Sequence, residues 1–197
     1  WNHSLALKSD GSLVGWGSNN FSQAVPSDGN DFIAIAAGGN HSLALKSDAS
    51  IVGWGANWAD QATPPDGNDF IAIAAGGFHS LALKSDGSIV GWGSNEYGLA
   101  TPPDGNEFIA IAAGRTHSLA LKSDGSIAGW GSNHDLEGFY CGQAIPPEGN
   151  DFIAIGAGSG YSLAIVAPKC RYVLAGDLND NCRVDFIDYG IFSKNWG

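Results

Sequence analysis

Methionine is absent from all 197 residues, so Trp1 is not expected to be the translated start, and the chain is read as processed or as a piece of something longer. Basic residues are scarce. Nine Lys and Arg stand against 20 Asp and Glu, and the resulting charge of −11 would repel a phosphate backbone, which argues against nucleic acid as a partner. No apolar run approaches the roughly 20 residues needed to cross a bilayer, so no membrane span is expected. Three cysteines, Cys141, Cys170 and Cys182, are too few for a disulfide-dense scaffold and match no four-ligand zinc spacing; one bridge and one free thiol is the simplest count. No G-x-S-x-G, phosphate loop or dinucleotide fingerprint is present, and a noncatalytic protein is expected. What the chain does have is 29 glycines beside 44 % apolar residues, too apolar for a disordered linker and suited to short strands joined by tight turns.

Self-comparison organises the chain. HSLALKSDGS begins at His3, returns as HSLALKSDAS at His41, recurs at His79 and His117, and survives as YSLAIV from Tyr161. FIAIAAG starts at Phe32, Phe70 and Phe108 and becomes FIAIGAG at Phe152; GWG follows each of the first four histidine phrases. A Pro-Gly turn ending at Asp31, Asp69, Glu107 or Asp151 closes each unit. The spacing between histidine phrases is 38, 38, 38 and 44 residues. Each unit reads as strand, turn, strand, hairpin, strand and loop. In FIAIAAG, Ile33 and Ile35 are expected on one face and Phe32, Ala34 and Ala36 on the other; in HSLALKS, Leu43 and Leu45 oppose Ser42 and Ala44. Ser-Asp-Gly marks a two-residue hairpin loop, and Ala49 in the glycine place implies a different turn type there.

A 38-residue unit with about four short strands is the size of one β-propeller blade. The pattern H-S-L-A-L, D-G-x-[IV]-x-x-W-G, then Asn and a Gln-Ala pair (His41 to Leu45, Trp54, Gly55, Asn57 and Gln61 in one copy) resembles the regulator of chromosome condensation repeat over residues 1–167. That resemblance implies an all-β fold, a propeller or propeller arc of about four blades. Family members form seven-bladed propellers, and seven units would need about 266 residues. The family's functions range from GTPase exchange to protein inhibition, so the fold does not fix the role. The histidine strand occurs five times and every other element four times. Open strand edges of this kind recruit partners, and head-to-tail self-association into a chain or filament is expected, with a closed monomeric ring or a fragment of a longer ring as alternatives.

Residues 168–197 depart from the repeat and form a second segment. Asp177, Asn179 and Asn181 fill positions 1, 3 and 5 of an EF-hand-type loop, the Arg183 carbonyl fills 7, Asp185 acts at 9 and Asp188 at 12. Hard oxygen donors at this spacing suit Ca²⁺ rather than zinc. With Asp at position 12 and an apolar helix expected after it, the segment resembles one calcium-binding half of a dockerin, a module of secreted bacterial assemblies. Only one half is present, and Cys182 takes the usual glycine place; a bridge from Cys182 to Cys170 would staple the loop and imply an oxidising, extracellular or cell-surface location.

Repetition also sorts the remaining chemistry, because a catalytic set should occur once. His3, His41, His79 and His117 recur, and a hydrogen bond holding neighbouring strands is their expected role; the four GWG tryptophans are read as packing, and Lys8, Lys46, Lys84 and Lys122 as solvated hairpin tips. The serine after each histidine faces the opposite side of its strand. Recognition should use positions where the copies differ. The loops after GWG place Phe21, Trp58, Tyr97, Phe139 and Tyr140 there, aromatic residues of the kind enriched at interfaces, and a protein or glycan partner bound through them is the alternative to self-association. Trp1, Gly39, Gly77, Arg115 and Ser159, with Phe78 adjacent, form a second variable set. His134, Asp135, Glu137 and Cys141 lie in the loop that a six-residue insertion lengthens and are candidates for a neighbour contact or a weak metal site.

Overall fold

The computed structural model describes residues 2–135 and 137–167. Thirteen strands are described: β1 (His3–Leu7), β2 (Leu13–Gly17), β3 (Phe32–Ala37), β4 (His41–Lys46), β5 (Ile51–Gly55), β6 (Phe70–Ala75), β7 (His79–Lys84), β8 (Ile89–Gly93), β9 (Phe108–Ala113), β10 (His117–Lys122), β11 (Ile127–Gly131), β12 (Phe152–Ala157) and β13 (Ser162–Val166). They form three complete antiparallel sheets, β3-β4-β5, β6-β7-β8 and β9-β10-β11, between two two-stranded sheets, β1-β2 and β12-β13. These are the blades of a propeller arc. Each complete blade has three strands, not four. Beyond the third strand, the Gln-Ala segment of the loop folds back against the GWG strand, so closely that a Cβ on Gly53 would strike the Ala62 carbonyl. Asn57 Oδ1 accepts the Ala62 N–H at 2.8 Å, so a side chain rather than a ladder holds this segment.

The histidine strand is the middle of every complete blade, and both its faces are covered by neighbouring blades. Leu43, Ala44 and Leu45 are therefore all buried, although the period-two pattern alone assigns the leucines and alanine to opposite faces. The outer leucine-alanine layers pack into clusters that cross blade boundaries: Leu43, Leu45 and Ile51 meet Phe70, Ala75 and Ala82 of the next blade. Alternation fails in the FIAIAA strand. Phe32 pairs with Lys46 and Ala34 with Leu45, so Ile33 is an extra residue in a bulge and lies exposed instead of sharing a face with Ile35.

The hairpin also differs from the expected two-residue turn. Ala49 N–H donates to the Lys46 carbonyl at 3.0 Å and Lys46 N–H to the Ser50 carbonyl at 2.9 Å, which encloses three loop residues with the last in the left-handed region. The same pattern holds at Gly11, Gly87 and Gly125. Ala49 adopts it unchanged at φ 65°, beside 79–84° for those glycines, so the alanine does not switch the turn type. Nor are the lysines simply solvated. Lys46, Lys84 and Lys122 reach Asp31, Asp69 and Glu107 at 3.0–3.2 Å and lie within 5.7–5.9 Å of the ring centres of Phe32, Phe70 and Phe108. Both members of each pair are part-exposed, so each pair contributes little net stability.

Ala49→Gly is expected to raise stability by about 1 kcal/mol, because it removes the left-handed penalty of an L side chain. In thermal unfolding this should appear as a rise of about 2–4 °C. Gly87→Ala should do the reverse, since its Cβ would run into the Asn106 carbonyl. An unchanged or lower melting temperature for Ala49→Gly would refute the assignment of strain to this turn.

Candidate functional site

The repeated polar residues form a latch between blades. His41 Nε2 lies 2.9 Å from Ser80 Oγ of the next blade, Ser80 Oγ donates to the Gln61 carbonyl at 2.8 Å, and Trp92 Nε1–H donates to the same carbonyl at 3.0 Å. His3 to Ser42, His79 to Ser118 and His117 to Ser162 repeat the first contact at 2.8–2.9 Å. Because the serine proton is committed to a carbonyl, the serine accepts from the imidazole, which fixes the Nε2–H tautomer. The Nδ1 atoms of His3, His41, His79 and His117 are buried with no hydrogen-bond partner. The expected hydrogen bond therefore runs between blades, and the tryptophans add a donor to their packing role. His and Ser do face opposite sides of their strand, each toward a different neighbour.

Burial lowers the histidines, His41 to about 3 and His79 and His117 to about 4. Protonation would place a second N–H on Nδ1, where no acceptor waits.

The loops after β2, β5, β8 and β11 share one frame and differ in what they display. In each, an Asn side-chain oxygen accepts a backbone N–H at 2.8–3.0 Å (Asn19 from Ala24, Asn57 from Ala62, Asn95 from Ala100 and Asn133 from Ala144). Of the predicted interaction residues, Phe21 and Trp58 meet edge to face with ring centres 4.8 Å apart. Tyr97 and Tyr140 instead line one cleft of about 690 Å³ between the third and fourth loops, while Phe139 is exposed outside it. Phe78, Arg115, Asn133 and Asp135 line the same cleft. Arg115 belongs to the second variable set, at the position that the other copies fill with Trp1, Gly39, Gly77 and Ser159. Its Nε is buried without a hydrogen-bond partner, and its guanidinium makes no ion pair among the described residues.

Within the lengthened loop, His134 and Tyr140 form an isolated bridge with their rings edge to face at 5.4 Å. Asp135 accepts the Phe139 N–H at 2.8 Å and lies 3.9 Å from the exposed, free Cys141 thiol. No group of three metal-ligating side chains converges among the described residues. The predicted calcium donors Asp177, Asn179, Asn181, Arg183, Asp185 and Asp188, and the Cys170–Cys182 pairing, lie outside the described residues.

The family model described as the Regulator of chromosome condensation (RCC1) repeat matches residues 1–23, 32–57, 70–99 and 108–143. Among solved structures, the ectodomain of the receptor kinase CR4 from Physcomitrella patens is similar at 25 % identity and a TM-score of 0.69, covering 86 % of this chain and 48 % of that one. Prp20p from Saccharomyces cerevisiae, described with its binding properties to Gsp1p and histones, gives 22 % identity, a TM-score of 0.65 and coverage of 83 % and 53 %. Human WBSCR16 gives 19 %, 0.65, and coverage of 84 % and 56 %. The chain thus spans about half the length of the structures it resembles. No curated protein matches it.

Unfolded imidazoles titrate near 6.5, so between about pH 4 and 6.5 the unfolded chain binds more protons than the folded one. The latches' contribution is complete above that window and declines as pH falls through it. With His41, His79 and His117 all participating, the slope reaches up to about 4 kcal/mol per pH unit. Urea midpoints measured from pH 7.5 to 4.5 should drop steeply below 6.5, whereas a flat profile down to pH 5 would sink the neutral-latch assignment.

Proposed function

The chain belongs to the regulator of chromosome condensation (RCC1) repeat family, and on that premise we propose that it is a noncatalytic extracellular binding and structural module. Its two end blades join head to tail with a second copy, and its variable loops form the recognition rim. The observation that carries the first part is the state of the end faces. At the inner junctions each GWG tryptophan donates to a carbonyl of the preceding loop, whereas Trp16 is 54 % exposed. At the other end Leu163 and Ile165 of β13 are 64 % and 60 % exposed, while their counterparts Leu43 and Leu45 are at 0 % and 1 %. Apolar faces like those that meet another blade at the inner junctions, beside strand edges with no partner strand among the described residues, favour association. A second copy supplies both halves of such a junction at once.

The extracellular placement draws support from the likeness to a receptor-kinase ectodomain and from the dockerin-like spacing of Asp177, Asn179, Asn181, Arg183, Asp185 and Asp188, which offers oxygen donors to one Ca²⁺. The rim reading rests on the contrast between a near-identical scaffold and loops that differ in every copy. Recognition of one asymmetric partner requires such differences, and large aromatic side chains supply contact area at low entropic cost.

Sedimentation velocity of the full chain over a range of concentrations is expected to show species larger than the 20.3 kDa monomer. Leu163→Glu, a change at an exposed position, should abolish them without lowering the melting temperature. A monomer at all concentrations up to about 100 μM, a range in which even weak specific contacts register, would overturn the self-association. Native mass spectrometry should detect one bound Ca²⁺ that chelator removes and Asp188→Ala prevents; an unchanged mass would reject the calcium loop.

A further inference from the structure

The cleft between the third and fourth loops is the place where three departures from the repeat converge. Arg115 is the one charged residue at a position held elsewhere by Trp1, Gly39, Gly77 and Ser159, the lengthened fourth loop brings Tyr140 and Asp135, and the third loop brings Tyr97 and Glu96. Gly77 lets this segment approach: a Cβ there would lie 2.6 Å from the Arg115 carbonyl oxygen and 3.2 Å from its Cγ. The guanidinium is the single Lys or Arg side chain among the described residues that line the cleft. Among the described residues the guanidinium has no carboxylate partner and its Nε is buried and unpaired, so its outer N–H groups are open to acceptor oxygens, and the geometry the fork fits best is that of a planar carboxylate.

The two tyrosines flank the cleft with most of their rings exposed, offering flat apolar faces with hydroxyl tips. Ser94, Asn133, Glu96 and Asp135 add hydroxyl, amide and carboxylate groups able to pair with ligand hydroxyls. The two carboxylates, and a chain charge of −11, disfavour a densely charged anion. What suits this combination is a hydroxyl-rich ligand with apolar ring faces and one isolated negative charge.

We propose that this cleft binds an oligosaccharide bearing a single uronate, its carboxylate on Arg115 and its pyranose rings against Tyr97 and Tyr140. The proposal rests on the rim as the recognition surface and names the ligand class for one part of it. A peptide carboxylate could also engage the arginine, but it would leave the hydroxyl-pairing groups around the cleft largely unused.

Isothermal titration of the full chain with glucuronosyl-xylotriose, neutral xylotetraose and a triglutamate peptide tests it. The uronate sugar should bind about tenfold more tightly than xylotetraose, the step one charge-assisted fork accounts for. Arg115→Ala should bring the two sugars to equal affinity, and Arg115→Lys, which keeps the charge but not the fork, should fall between. Tyr97→Ala and Tyr140→Ala should each weaken both sugars about threefold, while Trp58→Ala, at the other aromatic pair, should change neither. Melting curves of each variant report whether it is folded. Equal affinity for both sugars in the unaltered chain, or no response to Arg115→Ala, overturns the proposal. Binding of triglutamate alone overturns the sugar assignment and leaves the rim reading standing. Sugar binding that survives every rim substitution but is lost in Leu163→Glu overturns both, and no binding by any probe overturns this proposal alone.

Discussion

The arc depends on one contact made again at each junction: an imidazole N–H from one blade to a serine hydroxyl of the next, with that hydroxyl's own proton spent on a loop carbonyl. Sheets of three short strands cannot bury both faces alone, so each blade is stable only in register with its neighbours. Apolar packing of leucines and alanines supplies most of the burial energy but is indifferent to sliding. The His–Ser–carbonyl chain is directional, and a blade displaced by a few ångströms would leave its three buried groups unpaired instead of satisfied. It therefore sets the register that the leucine layers then fill. The unpaired Nδ1 atoms show the cost of this device, which works only with a neutral imidazole.

Much of this was legible from residue identity because the unit repeats. Four copies of the same histidine phrase identify the blade, and their repetition pointed to the hydrogen-bonding role that the histidines have between blades. Local alternation also placed His and Ser on opposite faces of their strand. What stayed illegible was whatever depends on pairing across the sheet or between blades. The bulge at Ile33 follows from how β3 lies against β4, which the period-two pattern of FIAIAA contradicts. The pairing of Lys46 with Asp31 joins a hairpin tip to a turn preceding another strand, and both ends look solvated when taken separately. The partner of each histidine is a serine 39 residues away, or 45 across the insertion, a separation that becomes meaningful only once adjacent blades are stacked. Ala49 is a different case: the residue type implied another turn there, yet alanine takes the same left-handed conformation as the glycines of the other hairpins.

The same scaffold explains how a nearly symmetric chain can hold one asymmetric site. The latch uses the backbone carbonyl at the Gln23, Gln61, Leu99 and Gln143 positions and not their side chains. The side chain there can change without loosening the junction. In the first two loops Gln23 and Gln61 also use their Oε1 to accept a backbone N–H, drawing the loop inward. Leu99 has no such oxygen, and the third loop instead takes a short 3-10 turn at Glu96–Gly98, in which Tyr97 sits at φ 59° with its ring exposed. The insertion lengthens the fourth loop beside it, and Arg115 enters from the strand approach between them. Each departure is tolerable because the contacts that fix the blades are made elsewhere, by a histidine and a serine that recur at each of the four described junctions. Where departures accumulate in adjoining loops, the rim acquires a cleft of one shape and one charge pattern, while blade packing beneath it remains that of the repeat.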